Sequence, residues 1–334
     1  MRAVPTSYLI ALESPVAQLE TIAKHGIVAE WVPAVNARLH TREELVGNQN
    51  VSTFLPKVAL AIAMSHLKVW KQFLSTNSEC ALVMEEDVVL AENFRPQLME
   101  ALANTPDDMD VLYVGCTGAH ATANPFCYFL AQCLFGCHPN AGPVNTHVFV
   151  PKCVFSLHAY VVSRRGATRL VDELSKGIFK HVDIQLNQLA SQCRIRSYVL
   201  NNRLADQTSG SDISTSANQS SHHPCILQPF LQNILLDQNL TLDYALNITL
   251  AEYDPVVLTV TSCLFLMLGV VVALFRVPIT YVIFGFVLLS WKDISVILST
   301  KRYQSIWQIF FHFLLLILPC IIVLAVRDRT SSSG

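Results

Sequence analysis

The stretch Ala81–Leu90, ALVMEEDVVL, contains a short apolar run that ends on three consecutive acids. Its first four residues predict a strand buried on both faces, because such strands are continuously apolar rather than alternating. Glu85, Glu86 and Asp87 follow at the carboxyl end of that strand. Open α/β sheets bind their ligands in the crevice at this end. The acids therefore indicate either a ligand site or a solvated acidic turn.

Acids in this position suit a hard cation. Mg²⁺ is usually held by one or two carboxylates together with the phosphate oxygens of a substrate, and Mn²⁺ favours similar oxygen ligands. Carboxylates one or two positions apart at a strand end can share such a cation with a diphosphate. The first candidate function of this stretch is therefore diphosphate binding through a metal ion.

The residues before this stretch predict an α/β domain. A strand, a helix and a second strand open the chain, and this order implies parallel strands joined by a right-handed crossover. No G-x-G-x-x-G follows the first strand, which argues against a Rossmann dinucleotide site. A longer helix then carries Ser65 and His66, which we expect to be packed or surface residues rather than catalytic ones. The predicted segments are strand Tyr8–Leu12, helix Ser14–His25, strand Ala29–Val35 and helix Val58–Leu74.

Alternating strands and helices continue after the acids. The pattern predicts helix Phe94–Leu102, strand Val111–Gly115, strand Ala159–Ser163 and helix Gly166–Leu174. The acids before the second of these segments, Asp107, Asp108 and Asp110, are expected to form a solvated turn. Residues 118–150 lose all periodicity, which indicates either a binding lid or an element that the pattern misses.

Three further polar residues are candidates for the site. Arg164 and Arg165 follow a predicted strand, where a guanidinium can bind phosphate oxygens. Ordinary surface charge is the alternative. Asp183 lies near the start of a helical pattern, so it is either a functional carboxylate or an N-cap.

Charge and hydropathy separate the chain into two parts. Residues 1–255 hold 17 Lys and Arg against 23 Asp and Glu, a net charge of −6, whereas residues 256–334 hold 6 against 2, a net charge of +4. Nucleic-acid binding needs basic surface to neutralise phosphates. An acidic folded part therefore argues against nucleic-acid partners.

The basic part is strongly apolar. Val256–Phe275 has no charge over 20 residues, and Ile306–Val326 has His312 as its one ionisable side chain over 21 residues. Each is long enough to cross a hydrocarbon core of about 30 Å, so we predict two transmembrane helices in contact with lipid. Ile279–Ser290 is shorter and predicts an interfacial or re-entrant segment, with a third crossing as the alternative. Buried core helices of a soluble protein would show the same pattern.

The side of the membrane on which the large domain lies stays open. The N-terminus lacks the apolar region of a signal peptide, which favours a cytosolic domain. Arg276, Lys292, Lys301 and Arg302 lie between the two predicted spans, and the positive-inside tendency then favours a luminal domain. Eight cysteines before the membrane region are compatible with bridges and with free thiols.

Several stretches together resemble glycosyltransferase family 25, a group that includes bacterial lipooligosaccharide and animal collagen galactosyltransferases. They occur in the family's order between residue 7 and about residue 215, whereas the apolar C-terminal part lies outside the resemblance. The matching stretches are YLIAL, GIVAEWVPAVNAR, AMSHLKVWKQF, ALVMEEDVVL with NF after it, DVLYVG, HAYVVSRRGATRL, HVDIQL and DQTSGSDIS.

The resemblance implies an α/β fold of the GT-A type, with a mixed, mostly parallel sheet flanked by helices. It also implies a UDP-sugar donor, Mn²⁺ or Mg²⁺, and a hydroxyl of a glycan or protein as acceptor. On this basis Glu85 and Asp87 are the predicted metal ligands. Asp183 is the predicted catalytic base, with His158 and His181 as additional contacts, and the predicted donor-binding residues are Glu86, Arg164 and Arg165.

Two features depart from the family pattern. Its acid motif usually reads E-D-D, whereas Glu86 occupies the middle position here. The arginine that commonly follows the first strand is replaced by Glu13 and Ser14. These departures motivate an alternative function, an inactive membrane-anchored protein that binds glycans or acts as a scaffold.

The complete prediction has three segments. Residues 1–215 form the glycosyltransferase domain, residues 216–255 form an acidic linker, and residues 256–334 form a membrane region with spans near 256–275 and 306–326. The predicted function is a metal-assisted hexosyltransferase, with galactose or a similar sugar as the transferred group. We expect an integral membrane protein, of the ER or Golgi if its source is eukaryotic.

Overall fold

The structure, a computed structural model, describes residues 4–52, 55, 57–117, 138–152, 154–207, 247–249, 257–275, 277–300 and 304–331. These residues divide into two compact units, one with residues 4–207 and one with residues 247–331. Most of the irregular segment 118–150 and nearly all of the predicted linker 216–255 lie outside the described residues.

The first unit is built on one eight-stranded sheet. Its strand order is β2-β1-β3-β8-β5-β9-β7-β6, and a short second sheet pairs β4 with β10. The strands are β1 Thr6–Ala11, β2 Ala29–Pro33, β3 Cys80–Glu85, β4 Val88–Leu90, β5 Val111–Thr117, β6 Gly142–Pro143, β7 Val148–Val150, β8 Phe155–Ser163, β9 Ser197–Leu200 and β10 Ala205–Gln207.

The sheet is mixed, as predicted. Strand β1 pairs in parallel with β2 and β3, and β5 pairs in parallel with β9. Strand β8 lies between β3 and β5 and runs antiparallel to both, and β7 is likewise reversed. Six of the eight strands therefore run in the direction of β1. The predicted α/β fold class is confirmed.

Helices cover both faces of this sheet. The ranges are α1 Val16–Lys24, α2 Arg42–Val46, α3 Lys57–Leu74, α4 Phe94–Asn104, α5 Arg164–Lys176 and α6 Val182–Ser191. Strand β3 shows the division, since Ala81 and Val83 pack into a core with α3, α5 and α6. Leu82 and Met84 pack into the other core, with α1 and α4. Two-sided burial is the reason that this strand is apolar at every position.

One acidic residue predicted to lie in a solvated turn is instead buried. Asp110 immediately precedes β5 and is 0% exposed. Its Oδ1 accepts a hydrogen bond from Arg165 Nε at 2.8 Å, and its Oδ2 accepts from Arg169 Nη1 at 2.5 Å and from the Arg196 backbone N–H at 2.8 Å. The prediction is therefore wrong for Asp110, because tertiary contacts from α5 and the loop before β9 supply its partners.

The second unit contains three apolar helices after a short hairpin. They are α7 Val260–Phe275, α8 Ile279–Thr300 and α9 Gln304–Ser331, and the hairpin pairs β11 Asn247–Thr249 with β12 Val257–Thr259. Within α9, the window Ile306–Val323 has a mean hydropathy of 2.4. Among the described residues this is the single helix long and apolar enough to cross a membrane, judged by length and composition.

The predicted span Val256–Phe275 is not one helix. Residues 257–259 form a strand, and α7 has 16 residues, which at 1.5 Å per residue is about 24 Å. This is shorter than a hydrocarbon core of about 30 Å. Ile279–Ser290, predicted as a short separate segment, is the first part of the 22-residue helix α8. The prediction of two spans is therefore supported for one helix only.

We expect Asp110→Ala to destabilise the first unit by about 3–5 kcal/mol. The substitution removes the carboxylate that binds Arg165 and Arg169 and that accepts a hydrogen bond from the Arg196 backbone N–H. Thermal or denaturant unfolding of the purified chain measures the change. Asp172→Ala, at an exposed acid on the same helix as Arg169, is the matched control and should stay within about 0.5 kcal/mol of wild type. Equal effects of the two substitutions would contradict the assigned role of Asp110.

Candidate functional site

The three acids lie where the interior strand β3 of the sheet ends. Glu85 is the last residue of β3, and Glu86 and Asp87 form the turn to β4. Strand β4 leaves the main sheet and pairs antiparallel with β10, Leu90 lying opposite Ala205. Glu85 and Glu86 are half-buried, whereas Asp87 is 7% exposed. The acid turn is therefore partly buried rather than fully solvated.

Glu86 ties this turn to the neighbouring strand. Its Oε2 accepts a hydrogen bond from the backbone N–H of Leu12, directly after β1, at 3.0 Å. Burial raises the pKa of Glu86 and the Leu12 hydrogen bond opposes that rise, while the charge of Glu85 adds to it. Glu86 thus joins the carboxyl ends of β1 and β3.

Glu85 is held from the opposite side, by helix α3. His66 Nε2 lies 3.1 Å from Glu85 Oε1. The His66 side chain is 2% exposed and the Glu85 side chain 27% exposed. The carboxylate therefore has one oxygen against a buried imidazole and the rest of its surface at the open side of the turn.

Asp87 is held by strand β10. Gln207 Nε2 donates to its Oδ2 at 3.2 Å, with Oδ1 at 3.5 Å. Burial, and secondarily the negative charge of Glu85, raise the pKa of Asp87 to about 7 from its ordinary value of 3.8. A cation bound between the carboxylates of Glu85 and Asp87 would offset the repulsion between their negative charges. The electrostatics of the pair thus suit a bound cation.

Strand β8 contributes two polar residues that the sequence did not single out together. Ser156 Oγ lies 2.7 Å from His158 Nδ1 and 3.3 Å from Gln207 Oε1. His158 Nε2 lies 3.3 Å from the Ala205 carbonyl oxygen, and burial lowers the pKa of His158. Ser156 has a φ of +70°, which is uncommon for a residue other than glycine. Its position links Gln207, and through it Asp87, to β8.

Asp183, the predicted base, is the second residue of α6. The N-cap position belongs to His181, so Asp183 is not the N-cap. Its Oδ2 nevertheless accepts from the Ser156 backbone N–H at 3.2 Å, and its Oδ1 from the Ile184 N–H at 2.8 Å. Ser156 therefore lies between Asp183 and the Gln207–Asp87 pair, and the predicted base and one predicted metal ligand belong to one hydrogen-bonded cluster.

The structure does not bring the two predicted arginines to this cluster. Arg164 donates to the carbonyl oxygens of Leu74, Thr76 and Ser78, which precede β3. Arg165 binds Asp110. Because β8 is antiparallel to β3, with Cys80 opposite Ser163, both arginines lie at the amino end of β3. That end is about 17 Å from the acids at 3.3 Å per residue, so the structure places these two arginines away from the acid turn.

The oxygen donors of the acid turn suit the predicted cation in kind. Two carboxylates are available at the turn, Glu85 and Asp87, and Mg²⁺ commonly takes one or two with the remainder from phosphate and water. Across the part of the chain that the structure describes, no three His, Cys, Asp or Glu side chains converge into a complete metal site. Among the described residues, the carboxylates of Glu85 and Asp87 are therefore the protein ligands that this turn offers to a cation.

The raised pKa of Asp87 predicts how stability depends on pH. Between pH 4 and 7 native Asp87 retains a proton that the unfolded chain has lost, so the free energy of unfolding falls as pH rises through this range. In EDTA, we expect Asp87→Asn to melt near the wild-type temperature at pH 5 and above it at pH 8. Asp206→Asn, at an exposed acid of β10, serves as control. Equal melting temperatures of wild type and Asp87→Asn at pH 8 would contradict this assignment.

Comparison with known proteins places the matched region over the first unit. The family model described as glycosyltransferase family 25 (LPS biosynthesis protein) matches residues 5–186. No curated protein matches the chain. Among solved structures, the crystal structure of A197 from STIV aligns with 15% identity and a TM-score of 0.35, over 63% of this chain and 87% of that chain.

The family match spans β1 to α6 and includes all three acids of the turn and Asp183. Gln207 lies beyond the matched region, although the stretch DQTSGSDIS that contains it carries part of the resemblance seen in the sequence. Since the match covers more than half of the 334 residues, the chain belongs to glycosyltransferase family 25.

Proposed function

We propose that the chain is a membrane-anchored glycosyltransferase that moves a hexose, galactose or a similar sugar, from a UDP-sugar to a hydroxyl of a glycan or protein. The observation that carries this proposal is the position of Asp87, buried beside Glu85 at the carboxyl end of β3, inside the region that matches the family. Two negatively charged carboxylates that repel each other, at the end of a strand where α/β sheets bind ligands, favour a cationic ligand.

In the proposed site Glu85 and Asp87 hold Mn²⁺ or Mg²⁺ together with the donor diphosphate. The cation would supply charge stabilisation for the UDP leaving group. Glu86, fixed by the Leu12 N–H, lies at the β1 side of the turn and contacts the donor there. Gln207 keeps the Asp87 carboxylate turned toward the site through its Nε2.

Asp183 is the proposed base for the acceptor hydroxyl. Transfer with inversion, which the family resemblance suggests, requires a group that takes the acceptor's proton. Asp183 is half-buried and shares Ser156 with the cluster around Asp87. Its two amide hydrogen bonds fix the direction of its carboxylate, and positioning of this kind is a condition for general-base catalysis.

The second unit is the proposed anchor. The window Ile306–Val323 has the length and composition to cross a hydrocarbon core and to contact lipid. An anchored family 25 enzyme that acts on secretory glycans or proteins would belong to the ER or Golgi if its source is eukaryotic.

A catalytically inactive glycan-binding or scaffold protein is the second candidate. It is favoured by the hydrogen bonds that already engage both glutamates, Glu85 with His66 and Glu86 with Leu12. An inactive protein of this kind would bind UDP without dependence on Mn²⁺, or would not bind it. Calorimetric titration of the full chain with UDP, with and without Mn²⁺, separates the two candidates.

Asp87→Ala is expected to lower metal-dependent hydrolysis or transfer of the UDP-sugar by about 100- to 1,000-fold, since it removes a group that stabilises the leaving diphosphate. Radiolabelled sugar release measures the hydrolysis. The melting temperature should show an intact fold. Asp206→Ala, an exposed acid one residue from Gln207, is the control and should retain activity. Unchanged activity of Asp87→Ala would refute the proposed metal site.

Asp183→Asn is expected to lower sugar transfer by about 100- to 10,000-fold while Mn²⁺-dependent UDP binding is retained, because a base acts on the acceptor and not on the donor. Transfer is measured with a saturating acceptor, and UDP binding by calorimetry. Asp172→Asn on the exposed face of α5 is the control. Parallel losses of UDP binding and melting temperature would assign Asp183 a structural role instead.

A further inference from the structure

A chain of buried hydrogen bonds leads from helix α3 to the acid turn. Trp70 Nε1 donates to the Tyr160 hydroxyl at 2.8 Å. The same hydroxyl lies 2.9 Å from His66 Nδ1, and His66 Nε2 lies 3.1 Å from Glu85 Oε1. Trp70 and Tyr160 are 0% exposed and His66 is 1% exposed. Trp70, Tyr160 and His66 thus form one hydrogen-bonded series, and His66 at its end contacts one oxygen of Glu85.

The chemistry of these groups sets the direction of every proton in the chain. An indole N–H can only donate, so Tyr160 accepts from Trp70. The phenol has one proton of its own, and burial raises the pKa of Tyr160 well above its usual range, so the hydroxyl remains a donor. Among the described residues, its remaining hydrogen-bond partner is His66 Nδ1. Nδ1 must then accept, and the imidazole proton lies on Nε2, facing Glu85.

The series of hydrogen bonds leaves Oε2 of Glu85 available, and a ligand would bind at this oxygen. The donated bond engages Oε1, and no described residue donates a hydrogen bond to Oε2. A histidine that served packing alone would not require its Nε2 to face a half-exposed carboxylate. The His66 ring instead lies between the buried core and the open end of β3. Its side chain is 2% exposed, whereas the Glu85 side chain is 27% exposed.

We propose that His66 is a positioning residue of the transferase, which fixes the Glu85 carboxylate in one orientation for a divalent cation shared with the donor diphosphate, and that Tyr160 and Trp70 fix the His66 tautomer. This inference rests on the proposed function, since it requires Glu85 to be a metal ligand. Partners of this kind orient ligands and raise their basicity, and their loss commonly weakens metal affinity by about 10- to 100-fold.

Two substitutions of His66 separate its two nitrogens. Asparagine can reach the position of Nδ1 but not that of Nε2, so His66→Asn keeps the Tyr160 contact and loses the donor to Glu85. Glutamine can reach the position of Nε2, so His66→Gln restores that donor. We expect His66→Asn to raise the apparent Kd of Mn²⁺, in the presence of UDP, by about 10- to 100-fold, and His66→Gln to recover a substantial part of that loss.

A third substitution tests the tautomer. Tyr160→Phe removes the proton donor to Nδ1, so the imidazole proton is no longer confined to Nε2. We expect a weaker apparent affinity for Mn²⁺ than in wild type and a smaller loss than in His66→Asn, because the imidazole can still donate to Glu85 whenever its proton lies on Nε2. Paramagnetic resonance of free Mn²⁺ in the presence of UDP measures each value on the full chain, and needs no acceptor.

The matched control is His138→Asn, at another buried histidine of the first unit, which contacts the Asn140 backbone N–H and not the acids. It should lower the melting temperature without changing Mn²⁺ affinity. Equal Mn²⁺ affinities of wild type and His66→Asn, with Asp87→Ala defective, would overturn the role of His66 and leave the metal site intact. Equal losses in His66→Asn and His66→Gln would also overturn it. Absence of Mn²⁺-linked UDP binding in wild type would overturn the proposed function together with this inference.

Discussion

The burial of strand β3 on both faces determines where the polar chemistry of this protein lies. Ala81 and Val83 fill one core, Leu82 and Met84 the other, and none of the four has room for a charge. The three acids can therefore be placed only where the strand leaves the two cores, at its carboxyl end. There the chain turns toward β4, and the acids meet the ends of neighbouring strands. The site is a consequence of how the sheet is covered.

Each acid of the turn is held by a different element. Glu85 contacts α3 through His66, Glu86 contacts the end of β1 through the Leu12 N–H, and Asp87 contacts β10 through Gln207. These contacts hold like charges together in a half-buried site, where the pKa of Asp87 rises to about 7. Functional sites are commonly places where a fold maintains unfavourable local energies that its remaining contacts offset. The cation proposed for this site would offset this repulsion.

The two ends of β3 have different physical roles. At the amino end, arginines satisfy the backbone carbonyls before β3 and the buried carboxylate of Asp110, so charge is paired within the protein. At the carboxyl end, like charges are left facing each other. Paired charge stabilises the fold, whereas unbalanced charge is suited to a ligand. The antiparallel strand β8 connects the ends, since it carries Ser156, His158 and Tyr160 toward the acids and leads into Arg164 at the other end.

The sequence by itself determined the α/β class, the main strands and helices of the first unit, and the position of the acids at a strand end, because these follow from periodicity and from the apolar character of doubly covered strands. It did not determine side-chain partners. Asp110 was expected in a solvated turn, and Arg164 either at a phosphate or on the surface. Gln207 was noted only as part of the stretch DQTSGSDIS, and Ser156 was not a candidate. Gln207 is 120 positions from Asp87, and Tyr160 is 94 positions from His66. Contacts over such separations depend on strand order, above all on β8 lying between β3 and β5, and only the tertiary structure decides that order.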